Sequence, residues 1–479
     1  MGMKRRSFLK TMGAGACLAV SSGALRADEP PEGAPNIILC MADDQGWGDM
    51  AYSGHPVLRT PHFDQMASQS LQLDRFYAQA PVCSPTRGSV MTGRHPNRFG
   101  CFQWGHTLRP REVTVAEALK SAGYATGHFG KWHLGPVRKP SPVNPGSSGF
   151  DHWLSAPNFF DNDPILSREG RAVQTEGESS IVTVDAALEF IRQQADSPRP
   201  FLAVVWFGSP HRPHRAAGRF RKMYSDQPKH MRDFYGEITG MDYAVGKLRR
   251  GLRELDMHED TVLWYCSDNG GLKNESSGGR GRKGQIYEGG LRVPALLEWP
   301  GNIDGGRTTE VPGVTSDIYP TLLDLLGIGV EDQLPLDGIS LVPLLQGDMG
   351  ERPQPIGFWD YPTGGYPIPS AELMPELLKG QKTARDISPH TFGDEPWKIK
   401  KQYPTDTFPG HAAWLDWPWK LHRKEKKGSV ALELYNLEED PGEQNDLVEN
   451  RPDRVRSMKA ALEVWQKDVI GSLNEPLTG

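Results

Sequence analysis

The sequence predicts an α/β fold with a large, mostly parallel sheet sandwiched by helices, followed by a small C-terminal α+β domain that carries an antiparallel sheet. Between residues 35 and 345, short apolar runs alternate with segments of helical spacing, which is typical of strands joined by helical crossovers. From residue 417 onward, two strand-like runs follow each other directly, and a helical segment comes after them. At 479 residues the chain is too long for one ordinary core. We therefore predict a leader over residues 1–27 and two further parts, residues 35–345 and 346–479.

The individual elements follow from spacing and flanking residues. Apolar runs bounded by turn residues predict buried strands at residues 36–41, 124–126, 201–207 and 261–267. Helical spacing predicts helices at residues 113–122, 181–194, 234–255, 316–327 and 452–469, the first with Thr114 as its N-cap. Residues 417–422 and 432–437 are predicted as antiparallel strands. Residues 350–410 are rich in Pro, Gly and aromatic residues without a period, and we interpret them as a long insertion that forms a wall of a cleft.

Composition excludes several classes of protein. Hydrophobic residues make up 37% and charged residues 24% of the chain, as in globular proteins, and the formal net charge is −6. A negative balance provides no basic field for nucleic acid. Five cysteines are too few for a disulfide scaffold, and we expect Cys40 and Cys266, at the ends of core strands, to be free buried thiols. Beyond the leader, no segment reaches membrane-spanning length, so we do not expect an integral membrane protein.

The N-terminus has the pattern of an export signal. Lys-Arg-Arg-Ser-Phe-Leu-Lys at residues 4–10 resembles a twin-arginine motif, and the Gly/Ala-rich stretch that follows is weakly apolar. We therefore predict a signal peptide over residues 1–27, a twin-arginine translocase as a partner, and a periplasmic or extracellular location. Cys17 is preceded by a faint lipoprotein-like sequence that lacks the usual Leu, so lipidation is not expected.

Acidic residues follow two of the predicted strands. Asp43 and Asp44 come directly after the strand at residues 36–41, and Asp268 and Asn269 follow the strand at residues 261–267. Because ligands of open α/β sheets lie beyond the carboxyl ends of the strands, the two pairs are expected to share one site. An all-oxygen set favours a hard cation such as Ca²⁺. The alternative is that these residues only form the turns that end the strands.

Several motifs resemble those of one enzyme family. Cys-Ser-Pro-Thr-Arg at residues 83–87, followed by Thr-Gly at residues 92–93, resembles the signature of the type I sulfatases. Gly-Lys-Trp-His-Leu-Gly at residues 130–135 and the Lys-Gly-x-x-Tyr-Glu-Gly-Gly stretch at residues 283–290 resemble further motifs in family order. The chain is therefore identified as a member of the type I sulfatases of the alkaline phosphatase superfamily. The resemblance implies an alkaline phosphatase-like fold, with residues 35–345 as the catalytic domain.

The same resemblance implies the reaction and its cofactors. A maturation enzyme would convert Cys83 to formylglycine, whose hydrate attacks the sulfur of a sulfate monoester and later releases inorganic sulfate. One Ca²⁺ per chain would bind the sulfate. The metal ligands implied are Asp43, Asp44, Cys83 in its modified form, Asp268 and Asn269.

The resemblance also assigns roles to the cationic and imidazole side chains. Arg87 would fix the formylglycine, and Lys131 would pair with both the formylglycine and the sulfate. His133 would take a proton during sulfate release. His211 and Lys283 would bind sulfate and protonate the leaving oxygen. Taken without the motifs, Arg87 could be a helix-surface charge and Lys283 part of a solvated basic loop.

The substrate is expected to be a sulfated saccharide, because an exported sulfatase meets such molecules. Residues near the motifs that could contact a sugar are His214, Trp104, His106, Arg109 and Arg215. Two alternative functions stay open at this point. One is a formylglycine-dependent phosphonate monoester or phosphodiester hydrolase on the same scaffold. The other is a non-catalytic glycan-binding protein in which Cys83 stays unmodified.

Overall fold

The computed structural model describes residues 30–31, 33–273, 276–383 and 401–475. The predicted signal peptide over residues 1–27 lies outside the described residues. None of the described helices combines the length and the apolar composition that crossing a membrane requires.

The helices alternate with strands over most of the chain. The helices are α1 (Pro61–Gln69), α2 (Cys83–Thr92), α3 (Val115–Ser121), α4 (Ser179–Gln194), α5 (Gly218–Arg221), α6 (Lys229–Glu254), α7 (Glu288–Leu291), α8 (Ile318–Leu326), α9 (Val342–Gln346), α10 (Ser370–Thr383) and α11 (Pro452–Asn474). The strands are β1 (Asn36–Ala42), β2 (Leu71–Leu73), β3 (Phe76–Tyr77), β4 (Ala125–Lys131), β5 (His152–Ala156), β6 (Ile165–Arg168), β7 (Arg171–Gln174), β8 (Phe201–Trp206), β9 (Thr261–Ser267), β10 (Arg292–Val293), β11 (Ala295–Glu298), β12 (Arg307–Thr309), β13 (Gly313–Val314), β14 (Ile356–Asp360), β15 (Gly410–Asp416), β16 (Trp419–Lys426) and β17 (Ser429–Asn436).

Among the described residues, ten strands form one large mixed sheet in the order β12-β2-β11-β9-β1-β8-β4-β5-β6-β7. Its centre is parallel, with β1 paired to β8 and β9, and β4 paired to β8 and β5. On one side β11 is antiparallel to β9 and β2, and on the other side β6 is antiparallel to β5 and β7. A separate antiparallel sheet has the order β14-β15-β16-β17. The fold class predicted from the sequence is confirmed.

Helices cover both faces of the large sheet because successive strand residues point to opposite sides. In β1, Ile37 and Leu39 pack in the core that contains residues of α2, α3 and α8. Ile38 and Cys40 pack in the core that contains residues of α1, α4 and α6. Strands buried on both faces read as continuous apolar runs, which explains why they could be recognised from the sequence.

Four further predicted details are compared with the structure. The strand predicted at residues 124–126 is β4 and continues to Lys131, so that prediction was too short. Polar and Gly residues interrupt its apolar run, and Gly130 has a φ of 101° and leaves no room for a Cβ, which would lie 1.9 Å from the Trp206 carbonyl oxygen. Thr114 does cap α3, in a capping box with Glu117. Cys40 and Cys266 are buried free thiols, as expected. The division at residue 345 stays a prediction.

Candidate active site

The acidic residues predicted at two strand ends lie side by side. β1 and β9 are parallel neighbours, and Ala42 is paired with Ser267. Asp43 and Asp44 therefore meet Asp268 and Asn269, and the Asp44 amide donates a 3.1 Å hydrogen bond to Asp268 Oδ1. All four side chains are buried. Asp44 has a φ of 70°, a conformation that costs energy outside Gly and is typical of functional turns.

Each carboxylate has a Lys or Arg nitrogen within 3 Å. Lys131 Nζ lies 2.8 Å from Asp43 Oδ2. Arg87 donates to Asp268 Oδ2 through Nε at 3.0 Å and Nη2 at 2.7 Å. Lys283 Nζ donates to Asp44 Oδ1 at 2.5 Å. The three pairs bring together side chains from β4, from α2 and from the loop that precedes α7.

The pairs affect the two adjacent aspartates differently. Burial raises the pKa of Asp43 to about 8, because Lys131 only partly offsets the lost hydration and Asp268 and Asp44 repel its charge. Burial also raises the pKa of Asp44, but Lys283 and His211 more than offset it and hold the net pKa below its usual range. Burial therefore dominates at Asp43, whereas the cationic neighbours dominate at Asp44.

Two buried oxygens at this site have no hydrogen-bond partner among the described residues, Asp43 Oδ1 and Asn269 Oδ1. The side-chain nitrogen of Asn269, Nδ2, donates to Asp44 Oδ1 at 2.9 Å and to the Gly270 carbonyl at 3.0 Å, which leaves the side-chain oxygen to bind another group. Unpartnered buried oxygens are costly, and a cation would satisfy them. Ligand atoms of Asp43, Cys83 and Asp268 lie within 4.8 Å of one another. The residues present therefore fit a metal ion.

Helix α2 delivers Cys83 and Arg87 to the cluster together. Cys83 is the first residue of the helix, and Arg87 lies one turn later on the same face. Both are buried. The Arg87 guanidinium also lies 5.1 Å from the centre of the Trp206 ring and donates to the Lys131 carbonyl at 3.2 Å, so its position is fixed on several sides. Burial raises the pKa of the Cys83 thiol, which disfavours a thiolate.

The two predicted histidines lie at different depths. His133 is buried with a φ of 55°, and both its ring nitrogens lack a hydrogen-bond partner within the described parts of the chain. Burial, with Lys131 and Arg87 nearby, keeps the pKa of His133 below its usual value. His211 is closer to solvent, and its Nε2 lies 3.7 Å from Asp44 Oδ2. His211 Nδ1 is 2.6 Å from the Arg212 carbonyl, which assigns the proton of a neutral ring to Nδ1. Burial lowers the pKa of His211 to about 3.

Sequence reasoning missed Phe159. Its ring stacks on His211 with centroids 4.2 Å apart and 20° between the planes, so it fixes the orientation of the imidazole. Phe159 follows strand β5 at the same sheet edge as Asp43, and this position was the available signal.

The weaker candidates for sugar contacts differ in their exposure. His214 Nδ1 is 3.2 Å from Glu237 Oε2, and burial lowers its pKa to about 4. Arg215 is largely exposed and lies 3.5 Å from Asp161. Trp104 is 38% exposed, whereas His106 is buried with its Nε2 3.0 Å from the Gly364 carbonyl. Arg109 is buried and donates to the Leu473 carbonyl at 2.8 Å, which makes it a packing residue rather than a sugar contact.

The loop that carries Lys283 is anchored by the C-terminal sheet. The Gly284 amide donates to the Pro81 carbonyl at 2.9 Å, two residues before Cys83. At the start of α7, the Glu288 amide donates to Glu443 Oε2 at 2.7 Å. Lys420 of β16 is fully buried between the two carboxylates, 2.8 Å from Glu288 and 3.1 Å from Glu443. The small sheet therefore holds the end of the loop in place.

Comparison with known proteins shows to which family the chain belongs. The sulfatase family model matches residues 35–328. The N-acetylgalactosamine-6-sulfatase of Canis lupus familiaris is 31% identical over 385 residues, which cover 70% of each chain. Ps i-CgsB, solved in complex with k-i-k-neocarrahexaose, has a TM-score of 0.75 at 23% identity over 92% of this chain and 94% of that chain. The phosphonate monoester hydrolase of Agrobacterium radiobacter has a TM-score of 0.61 at 21% identity over 91% of this chain and 96% of that chain. The chain belongs to the sulfatase family and is a sulfuric ester hydrolase.

Proposed function

We propose that this protein hydrolyses sulfate monoesters of carbohydrates and releases inorganic sulfate, with formylglycine at position 83 and one Ca²⁺ in the acidic cluster. One observation carries the proposal: Cys83, three carboxylates and three cationic side chains lie together in one largely buried site. Carbohydrate as the substrate class is supported by the relative that is named for N-acetylgalactosamine 6-sulfate and by the neighbour solved with a neocarrahexaose.

Charge balance supports a divalent cation. Asp43, Asp44 and Asp268 carry −3 when ionised, and the side chains paired with them, Lys131, Lys283 and Arg87, carry +3, so the cluster is balanced at zero. A divalent ion would leave it at +2, which suits an anionic sulfate ester. Asp43, Asp44, Asp268 and Asn269 would hold the ion, and their oxygen donors favour Ca²⁺ over the softer metals that prefer His and Cys. Bound there, Ca²⁺ would supply positive charge to the sulfate oxygens and to the nucleophile.

Formylglycine at position 83 is supported by the signature motif and by the environment of the thiol. Burial raises the pKa of Cys83, so an unmodified cysteine would be a poor nucleophile at neutral pH. A maturation enzyme would convert the side chain to an aldehyde, whose hydrate supplies two hydroxyl groups. Arg87 and Lys131 lie against the same carboxylates as Cys83 and would orient this group. His133, whose two ring nitrogens have no hydrogen-bond partner among the described residues, would accept a proton from it.

Protonation of the leaving oxygen is assigned to His211, with Lys283 as the alternative. His211 Nε2 faces Asp44 at the more open side of the cluster, and the Phe159 stack fixes the ring. In this structure burial holds His211 neutral, so it must gain a proton when an anionic substrate enters. Lys283 already carries a proton, because Asp44 raises its pKa against the opposing effect of burial. The loss of activity in a His211 variant, compared between substrates with good and poor leaving groups, distinguishes His211 from Lys283 as the proton donor.

The proposal is tested by sulfate release and metal content together. The wild-type protein should release sulfate from sulfated saccharides and contain about one Ca²⁺ per chain. Asp43→Asn should lose metal and activity together, because it removes a carboxylate whose Oδ1 accepts no hydrogen bond from the described residues. Asp49→Asn is the matched control, since Asp49 is equally buried but accepts hydrogen bonds from Gly46 and Ser276. Stoichiometric Zn²⁺ in the active protein would refute the assignment.

The same purified protein distinguishes the two alternative functions. Faster turnover of an aryl phosphodiester or phosphonate monoester than of sulfate esters would make it a phosphonate monoester or phosphodiester hydrolase. Binding of a sulfated glycan without turnover, with an unmodified Cys83, would make it a non-catalytic glycan-binding protein. We further infer export by the twin-arginine translocase to the periplasm or the extracellular space, on the motif at residues 4–10.

A further inference from the structure

Residues 361–370, here called the wall segment, are attached to the loop that follows α2. The Tyr366 amide donates to the Trp104 carbonyl at 3.0 Å, and His106 Nε2 lies 3.0 Å from the Gly364 carbonyl. The loop in turn is tied to the start of α2, because the Gly105 amide donates to Ser84 Oγ at 2.9 Å. Ser84 is the neighbour of Cys83. One part of the wall segment is therefore linked to the nucleophile side of the site.

The other end of the wall segment is attached on the side of His211. The Asn158 side chain donates to the Ile368 carbonyl at 3.0 Å, and the Asn158 amide donates to Ser370 Oγ at 3.0 Å. The next residue is Phe159, which stacks on His211. The wall segment thus connects the side that carries Cys83 with the side that carries the proposed acid.

Two exposed aromatic rings lie at these attachments. Tyr366 is 58% exposed and Trp104 is 38% exposed, which is unusual among the large apolar side chains of the described residues. The Tyr366 ring stacks on buried His106 with centroids 4.9 Å apart. The backbone of Gly365 lies against the Trp104 indole, where a Cβ would come within 2.4 Å of the ring. Both rings are therefore held in place before any ligand arrives.

We propose that Trp104 and Tyr366 form a binding surface for the sugar portion of the substrate, so that the enzyme favours a sulfated oligosaccharide over a small aryl sulfate. This inference rests on the proposed function. A pyranose ring has an apolar C–H face that packs on aromatic rings, and a Tyr hydroxyl or an indole N–H can form hydrogen bonds with sugar hydroxyls. Rings that are fixed in advance lose little conformational entropy on binding. Their place beside the start of α2 suits a sugar that is attached to a sulfate in the acidic cluster.

The test compares two substrates in each variant. In Tyr366→Ala and Trp104→Ala, kcat/KM for a sulfated oligosaccharide should fall roughly tenfold or more, mainly through KM, as when an aromatic anchor of an interface is removed. The kcat/KM for nitrophenyl sulfate should stay within about twofold of wild type. Tyr366→Phe, which keeps the ring, should retain most of the oligosaccharide activity. Tyr243→Ala is the matched control, because Tyr243 on α6 is 36% exposed but packs against His62 of α1 and Phe220 of α5.

The outcomes separate this inference from the proposed function. If wild type releases no sulfate from any sulfated saccharide, the proposed carbohydrate specificity fails. If wild type is active and both alanine variants lose kcat/KM equally for the two substrates, the rings support α2 rather than bind sugar, and the inference is overturned. Unchanged KM for the oligosaccharide in Tyr366→Ala, whose exposed side chain can be removed without disturbing the core, also overturns it.

Discussion

Replacing Lys420 with Met should strongly destabilise the protein. Lys420 is fully buried between Glu288 and Glu443, and it is the cation that both carboxylates contact in the described residues. Met has a similar length but no charge, so Lys420→Met removes the cation that both buried carboxylates share. Glu443 keeps only the His422 ring at 2.7 Å, and Glu288 keeps only the Tyr77 hydroxyl at 3.0 Å, as side-chain partners among the described residues. Removing one partner of a buried ion pair typically costs about 3–5 kcal/mol. We therefore expect the free energy of unfolding in urea to fall by about that amount.

Lys424→Met is the matched control on the same strand. Lys424 pairs with Glu433, but its side chain is 32% exposed. Exposed pairs contribute about 0–1 kcal/mol, so this variant should remain close to wild type. Because Glu443 also holds the start of α7, Lys420→Met should lower sulfate release through the displaced Lys283 loop, whereas Lys424→Met should not. Equal losses of stability in the two variants would refute the reasoning.

Three further predictions concern protons and export. His211→Ala should lower the rate of hydrolysis of a sulfated sugar about 10²–10⁴-fold and that of nitrophenyl sulfate much less, because nitrophenolate scarcely needs a proton to leave. His133→Ala should slow the hydrolysis of both substrates. An equal loss on the two substrates in His211→Ala would leave Lys283 as the acid. Burial lowers the pKa of His95 from 6.5 to about 3, so its contribution to stability is present above pH 6.5 and lost as the pH falls toward 3. Between pH 7 and 5 the free energy of unfolding, measured in urea, should fall by about 2 kcal/mol more in wild type than in His95→Asn. Equal decreases in the two proteins would contradict this. Replacing Arg5 and Arg6 with Lys should retain active enzyme in the cytoplasm of a bacterial host, and unchanged export would count against the twin-arginine route.

The sheet and the acidic cluster could be predicted because their signals are local. β1 and β9 are apolar runs followed directly by Asp residues, and parallel neighbours bring such ends to one edge. β4 was predicted too short because Gly127, His128 and Gly130 interrupt its apolar run, although every residue of the strand is buried. Apolarity alone therefore underestimates a strand at a functional edge.

The contacts that orient the site could not be read from local patterns. Phe159 stacks on His211, and Asn158 hydrogen-bonds to Ile368, which is 210 residues away along the chain. The burial of Lys420 depends on packing between the small sheet and α7. Such pairings are set by how distant elements pack together, so the position of Phe159 after β5 indicates the sheet edge but not the partner of its ring.

The most direct test of the central claim is the mass of the peptide that contains Cys83, measured in the same preparation that releases sulfate. The proposed mechanism predicts that the active fraction carries an aldehyde or its hydrate at position 83, and that its amount scales with specific activity. Cys83→Ala should be inactive while still binding Ca²⁺ at Asp43, Asp44, Asp268 and Asn269. A fully active preparation in which only the unmodified thiol is found would contradict the claim.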